Sequence, residues 1–173
     1  MSAEMIPVLS RAEIAQKVKT LAHRVSKDYA EKELRIIGVL KGVFIFMADL
    51  VRELTIPVQI DFIRLASYGS NTVSSGNIQV TKEIELDIKG QDVLVVEDIV
   101  DSGLTIARIL EYLKQFSPKS VKVCALIDKT ERRQVNVSID YVGHVVEHGF
   151  LVGYGLDFDE KYRALPDIYR LKA

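Results

Sequence analysis

The 173-residue sequence predicts an α/β domain with a mostly parallel central sheet flanked by helices. Three observations carry this. The runs Leu34–Leu40, Asp92–Val96 and Val121–Ile127 are short, apolar and rich in branched side chains, as buried strands are. Other segments repeat apolar residues at helical spacing. The two patterns alternate along the chain, which calls for crossover connections between parallel strands.

The elements follow in order. Ser10 with Glu13 three residues later is a capping-box pattern, and Ile14, Val18, Leu21 and Val25 then predict a helix to about Ala30. Leu34–Leu40 is the first buried strand, Lys41 and Gly42 make a tight turn, and Val43, Met47, Leu50 and Leu54 mark a second helix. Pro57 opens a strand in which Val58, Ile60 and Phe62 alternate with Gln59 and Asp61 before Ile63 breaks the phase. The polar stretch after Ser67, Tyr68 to Asn77, is long for a connection without a task, so it is expected to be the mobile tip of a hairpin closed by a strand over Ile78–Glu85. A strand over Asp92–Val96, a loop, a helix marked by Ile106, Ile109, Leu110 and Leu113, and a stop at Pro118 come next. Val121–Ile127 is a further buried strand, and Val135–Val142 is expected to be another. The tail from Glu147 carries Gly149, Gly153, Gly155 and five aromatic residues, and reads as a small irregular subdomain packed on the sheet. No repeat, low-complexity tract or linker divides the chain, so residues 1–173 are expected to form one domain.

Composition narrows the function. A net charge of −1 gives no electrostatic case for nucleic acid or for an anionic membrane as partner. The most apolar segment, Ile36–Val51, is interrupted by Lys41, Gly42 and Asp49, so it is not a membrane span, and Met1–Ser10 is too polar for a signal peptide. The one cysteine, Cys124, lies inside an apolar run and is expected to be a buried structural thiol, consistent with a reducing, cytoplasmic setting. No G-x-G-x-x-G follows a strand, which argues against a dinucleotide-binding module.

The chemistry concentrates in Val93–Thr105. A buried strand runs into Glu97 and Asp98; Asp101, Ser102, Gly103, Leu104 and Thr105 follow, and then a helix begins. Ligands of parallel α/β sheets bind beyond the carboxyl ends of the strands. A loop there offers backbone N–H groups and a helix N-terminus to an anion. Ser102 and Thr105 add hydroxyl donors, and Gly103 permits close approach or positive φ. These features suit a phosphate monoester. Acids touching that phosphate would repel it, so Glu97 and Asp98 are better suited to sugar hydroxyls, directly or through a metal. Phosphate, sugar and acid in one loop describe a phosphorylated pentose site. A helix cap alone would explain Asp101 or Ser102, but not two acids at the end of an apolar strand.

This run resembles the phosphoribosyl-pyrophosphate signature of type I phosphoribosyltransferases, and its Glu-Asp-Ile-Val-Asp-Ser-Gly form resembles the hypoxanthine-guanine branch. Leu40-Lys41-Gly42, Asp61–Leu65 with Ser67-Tyr68, Lys129, and Phe150–Asp157 with Arg163 are similar to family segments in the family order. The resemblance covers about Ile36 to Arg163. It implies the family fold, with a hood built from the N-terminal segment and about 147–173 and a mobile loop at about 67–77. It implies transfer of a 5-phosphoribosyl group from phosphoribosyl pyrophosphate to hypoxanthine or guanine with Mg²⁺, in a cytoplasmic homodimer or homotetramer.

The resemblance also implies roles. Asp101–Thr105 would hold the 5′-phosphate, and Asp101 would also be the catalytic acid/base at nitrogen 7 of the purine. Glu97 and Asp98 would engage the ribose and one Mg²⁺, and Asp157 a second Mg²⁺. Lys129 would donate to the 6-oxo group, Phe150 would stack on the base, and the backbone at Leu151 would read its edge. Lys41, Gly42 and Arg163 would bind pyrophosphate with help from Arg133, and Ser67 and Tyr68 would sit on the lid. The family turn at Leu40-Lys41 carries a non-proline cis peptide. Some relatives have lysine at the position of Ala66 and Pro-Asp at that of Glu147-His148; neither position carries an assigned role. Asp128 is adjacent to Lys129 and a candidate to orient it. His23 is expected on the first helix surface, and His144 and His148 in the hood or an interface.

Overall fold

The structure, a computed structural model, describes residues 4–67 and 78–172. Strands β1 (Met5–Leu9), β2 (Leu34–Leu40), β3 (Val58–Ser67), β4 (Ile78–Lys82), β5 (Asp92–Val100), β6 (Ser120–Lys129), β7 (Tyr141–Val146), β8 (Phe150–Val152) and β9 (Ile168–Leu171) surround helices α1 (Arg11–Asp28), α2 (Phe44–Glu53) and α3 (Leu104–Lys114). The central sheet has the order β4-β3-β2-β5-β6-β7, and only β4 runs antiparallel to its neighbour. A second sheet, β1-β9-β8, joins the N-terminal segment to the tail.

The consecutive apolar residues of β2, β5 and β6 have a direct cause. Ile36, Leu94, Val96, Cys124 and Leu126 enter the core under α1 and α2, whereas Ile37, Val93, Val95, Val123 and Ala125 enter the opposite core with Ile106, Ile109 and Leu113 of α3. Each strand thus serves two faces, as parallel strands between helices must. Cys124 is fully buried, and burial pushes its thiol up to about 12. α1 starts with the expected capping box: Glu13 N donates to Ser10 Oγ at 3.3 Å, and Ser10 N donates to Glu13 Oε2 at 2.8 Å. Such a cap contributes about 1 kcal/mol. Among the described residues no helix is long and apolar enough to cross a membrane.

Several expectations change. β5 extends to Val100, because Ile99 and Val100 continue its pairing with Ile127 and Asp128 of β6; Glu97 and Asp98 therefore sit within the strand, not after it. The segment expected as a strand at Val135–Val142 becomes β7 only from Tyr141. Its first residues are diverted: Gln134 N and Val135 N both donate to Ser102 O, at 2.9 and 3.1 Å. His144 lies on β7 of the central sheet, while His148 is near Arg170 of β9 and His23 is exposed on α1. The tip of the β3–β4 hairpin, including Tyr68, lies outside the described residues; Ser67 ends β3, opposite Ile78.

The alternation read in β3 fails at its centre, where Ile60 is exposed and Asp61 is buried, while Gln59 is exposed and Val58 and Phe62 pack on the core as expected. The Asp61 carboxylate accepts from Phe62 N at 2.7 Å, Glu85 N at 2.5 Å and Leu86 N at 2.9 Å, which ends β4 at Lys82 rather than Glu85. Burial pushes this carboxyl up, but the three backbone donors and Lys82 outweigh it and hold it below its ordinary value. A lowered folded-state pKa contributes stability that is present above the unfolded pKa and is lost as pH falls through the folded one. Asp61→Asn should therefore destabilise by about 1–3 kcal/mol at neutral pH, with the gap closing in acid. Melting curves of both proteins across the acid range check this, and a gap independent of pH would remove the charge from the explanation.

Candidate active site

The carboxyl ends of β2, β5 and β6 place the expected residues side by side. Gly103, at φ 84°, stands at the N-cap of α3, where its positive φ suits glycine. A Cβ there would also overlap the carbonyl of Val135. The N-cap glycine has no side chain to offer, and Leu104 N donates instead to Ser102 Oγ at 3.2 Å. The remaining donors of the first turn face the loop of Asp101–Thr105, a small cavity of about 120 Å³ lined by Glu97, Ser102, Gly103 and Thr105 among others. Free backbone donors at a helix N-terminus suit an anion.

Glu97 and Asp98 are buried, with 7% and 8% exposure. Burial pushes both carboxyls up, and for Glu97 the neighbouring Asp98 charge adds to it. Asp98 Oδ1 accepts from Ile99 N at 2.9 Å, which holds the side chain toward β2. There it touches the Lys41-Gly42 turn, so closely that a Cβ on Gly42 would overlap an Asp98 carboxylate oxygen. Among the described residues neither acid has an ion-pair partner. Two adjacent buried carboxylates with no ion pair of their own, Asp98 feeling only the more distant charge of Arg163, fit a hard divalent cation, which would reverse the direction of their pKa shifts.

A larger cavity, about 260 Å³, joins the rest: Lys41, Gly42, Asp98, Ile99, Asp101, Lys129, Phe150, Leu151, Leu156, Asp157 and Arg163 line it. Lys129, only 4% exposed, directs its ammonium to Asp101 Oδ2 at 3.3 Å and Glu131 Oε2 at 3.6 Å. The other oxygen, Asp101 Oδ1, is buried with no hydrogen-bond partner among the described residues. An orphaned acceptor of this kind is costly and needs an explanation, which a ligand proton would supply. Phe150 leaves its ring partly exposed to the cavity, with Phe158 packed edge-on at 5.4 Å. Leu151, beside it, is buried. Arg163 Nη2 lies 3.0 Å from Asp157 Oδ1, and Arg163 Nη1 donates to Gly155 O at 2.8 Å. The Leu40–Lys41 peptide is cis.

A cavity of about 580 Å³ lies elsewhere, between α1, α2 and Ala164–Pro166. It lacks the combination of acids, lysine and exposed aromatic ring.

Two residues take other places than expected. Arg133 does not face the pyrophosphate end. It donates to Asp101 O at 2.9 Å, Lys129 O at 3.1 Å and Val100 O at 3.3 Å, and pairs with the Asp128 carboxylate. It is a clamp across the ends of β5 and β6, and Asp128 orients Arg133 rather than Lys129. Sequence reasoning missed three contributors. Glu131 pairs with Lys129 and accepts from Gly149 N at 3.1 Å. Gly155, at φ 99°, leaves room for the carbonyl of Gly42. Glu160 bridges Lys41 and Arg163. Nothing local in the sequence marks them.

Comparison with known proteins gives the family. The profile of the phosphoribosyl transferase domain matches residues 8–159. A hypoxanthine-guanine phosphoribosyltransferase of Aquifex aeolicus is 43% identical over 166 residues, 95% of this chain and 93% of that one. A hypoxanthine phosphoribosyltransferase of Salmonella typhimurium is 41% identical over 164 residues, 94% and 90% of the two chains. The crystal structure of a hypoxanthine-guanine phosphoribosyltransferase from Bacillus anthracis, with a HEPES molecule in its active site, superposes with a TM-score of 0.93 at 42% identity, covering 99% of this chain and 100% of that one. The chain belongs to the phosphoribosyl transferase domain family, in its hypoxanthine-guanine phosphoribosyltransferase branch.

Proposed function

We propose that this enzyme transfers the 5-phosphoribosyl group of phosphoribosyl pyrophosphate to hypoxanthine or guanine, giving the nucleoside 5′-monophosphate and pyrophosphate in purine salvage. The observation that supports it most is the orphaned Asp101 Oδ1 in one cavity with Lys129 and the open face of Phe150. A 6-oxopurine satisfies all three at once.

The donor's 5′-phosphate sits on the backbone and hydroxyls of Asp101–Thr105, where the α3 N-terminus stabilises its charge. Glu97 and Asp98 accept from the ribose hydroxyls. The base stacks on Phe150, its edge read by the backbone at Leu151. Lys129 donates to the 6-oxo oxygen, which favours oxopurines over the amino group of adenine. Pyrophosphate leaves toward Lys41, the Gly42 turn and Arg163, whose charges stabilise it as the ribose becomes cationic. Asp101 accepts the purine proton through Oδ1, the oxygen that Lys129 leaves free. Mg²⁺ held by Glu97 and Asp98, and by Asp157 for a second ion, would supply charge neutralisation for the ribose hydroxyls and the departing pyrophosphate. We place the enzyme in the cytoplasm as a homodimer or homotetramer.

The test is initial rates with Mg²⁺, phosphoribosyl pyrophosphate and, separately, hypoxanthine, guanine, xanthine and adenine. Hypoxanthine or guanine should turn over and adenine should not. In the same assay Lys129→Ala should lower kcat/KM for hypoxanthine by about 10- to 100-fold, the loss expected for one charged hydrogen bond, with the KM for the sugar donor little changed. Equal loss toward both substrates would remove Lys129 from base recognition.

A further inference from the structure

An acid that the transfer reaction does not use touches two of the cations that line the cavity. Glu160 Oε2 lies 2.9 Å from Lys41 Nζ, and Glu160 Oε1 lies 3.2 Å from Arg163 Nη2. One carboxylate thus puts one oxygen on each of the two cations assigned to the leaving group, as a bridging phosphate would. Its position is built into the backbone. Phe158 and Lys161 exchange both backbone hydrogen bonds across a turn, at 3.1 and 3.0 Å, and within it Asp159 and Glu160 adopt left-handed φ values of 52° and 58°. Glu160 N is fastened to Asp157 Oδ2 at 2.9 Å.

We propose that Glu160 is an internal substitute for pyrophosphate, which holds Lys41 and Arg163 in register and gives way when pyrophosphate enters. This rests on the phosphoribosyl-transfer reading above. Exposure makes the exchange feasible. The Lys41 and Glu160 side chains are 48% and 64% exposed, and ion pairs in such surroundings are weak. Arg163 is anchored independently through Gly155 O and Asp157, so its position survives the exchange. Among the described residues its Nε is a buried donor without a hydrogen-bond partner. Pyrophosphate carries more charge than a carboxylate and displaces it, but against a standing competitor. Glu160 thereby weakens product binding and speeds release.

The experiment measures affinity for Mg²⁺-pyrophosphate by calorimetry, and the KM for pyrophosphate in the reverse reaction from inosine 5′-monophosphate, for wild type, Glu160→Gln and Asp159→Asn. Asp159 is the control: it is an exposed acid in the same turn, 3.4 Å from Lys161, and touches neither pyrophosphate cation. Glu160→Gln should tighten pyrophosphate by about 3-fold, the size of one or two exposed ion pairs, with the reverse KM falling in parallel and Asp159→Asn unchanged. Equal tightening in both variants would reduce the effect to the general field of an acid and overturn the proposal. Weaker pyrophosphate binding in Glu160→Gln would overturn it too, by making Glu160 only a scaffold for its cations. Absence of pyrophosphate binding and reverse turnover in wild type would overturn the transfer reading first, before any substitution is compared.

Discussion

Asp101→Asn should lower turnover by about 10²- to 10⁴-fold, the span of a lost general acid/base. Asparagine keeps the shape of the side chain and can still accept a hydrogen bond from Lys129, so positioning changes little. It cannot take up a proton. The main-chain carbonyl of residue 101 stays under Arg133 Nε, and the donors of the phosphate loop are backbone groups that the substitution leaves in place. Binding of phosphoribosyl pyrophosphate should therefore be nearly unchanged, and the loss should fall on kcat. The stability cost should be small, because Asp101 is about a third exposed and Glu131 remains near the Lys129 ammonium. Steady-state rates at saturating hypoxanthine, with a melting curve as control, decide the matter. Turnover within about threefold of wild type would take proton handling away from Asp101, since even a modest acid/base contribution exceeds that.

Arg133→Ala should be the most destabilising of the substitutions considered, at about 2–4 kcal/mol. One guanidinium serves three carbonyls and a carboxylate at the ends of two neighbouring strands, and hydrogen bonds to charged groups contribute about 1.5–3 kcal/mol each when isolated. The sum is discounted because Arg133 and Asp128 are each 20% exposed, so water can replace part of the loss. Asp128 would also be left without its partner. The functional effect follows from the same contacts. Arg133 fixes the backbone of Val100, Asp101 and Lys129, so its loss should loosen the phosphate loop and the lysine together. The KM for the sugar donor should rise and kcat should fall. Pyrophosphate affinity should be spared. Arg133→Lys should recover little, because an ammonium lacks the planar fork that reaches several acceptors at once. A variant that melts like wild type but loses affinity for pyrophosphate would restore the role expected for Arg133 as a pyrophosphate ligand and discard the clamp.

The contrast between these two residues shows which parts of the site were legible. Asp101 belongs to a contiguous strand–loop–helix run, and the phosphate cradle is made by the backbone of that run. Its chemistry can be read residue by residue. Arg133 follows Lys129 by four positions, and the family resemblance alone suggested it as a pyrophosphate ligand. Which way it turns depends on β5 and β6 pairing in parallel, with Val100 opposite Asp128. Asp61 is similar: alternation placed it outside, but backbone donors of Glu85 and Leu86, 24 and 25 residues later, draw it in.

By itself the sequence determined the α/β class, the capped first helix, the two-faced strands, and the order of acids, hydroxyls and glycine that suits a phosphorylated sugar. These depend on side-chain periodicity and on neighbours within a few positions. Only the tertiary structure decided what each long-range partner does. It brought Lys129 against Asp101 and left one oxygen of that acid unpartnered. It pressed Asp98 onto Gly42, and Gly42 in turn onto Gly155, so closely that neither glycine can carry a Cβ. It also set Glu160 between Lys41 and Arg163. The physical reason is one of range. Strand and helix patterns are written in local spacing, whereas contacts across the sheet follow from its register, which is settled only when both cores close on it.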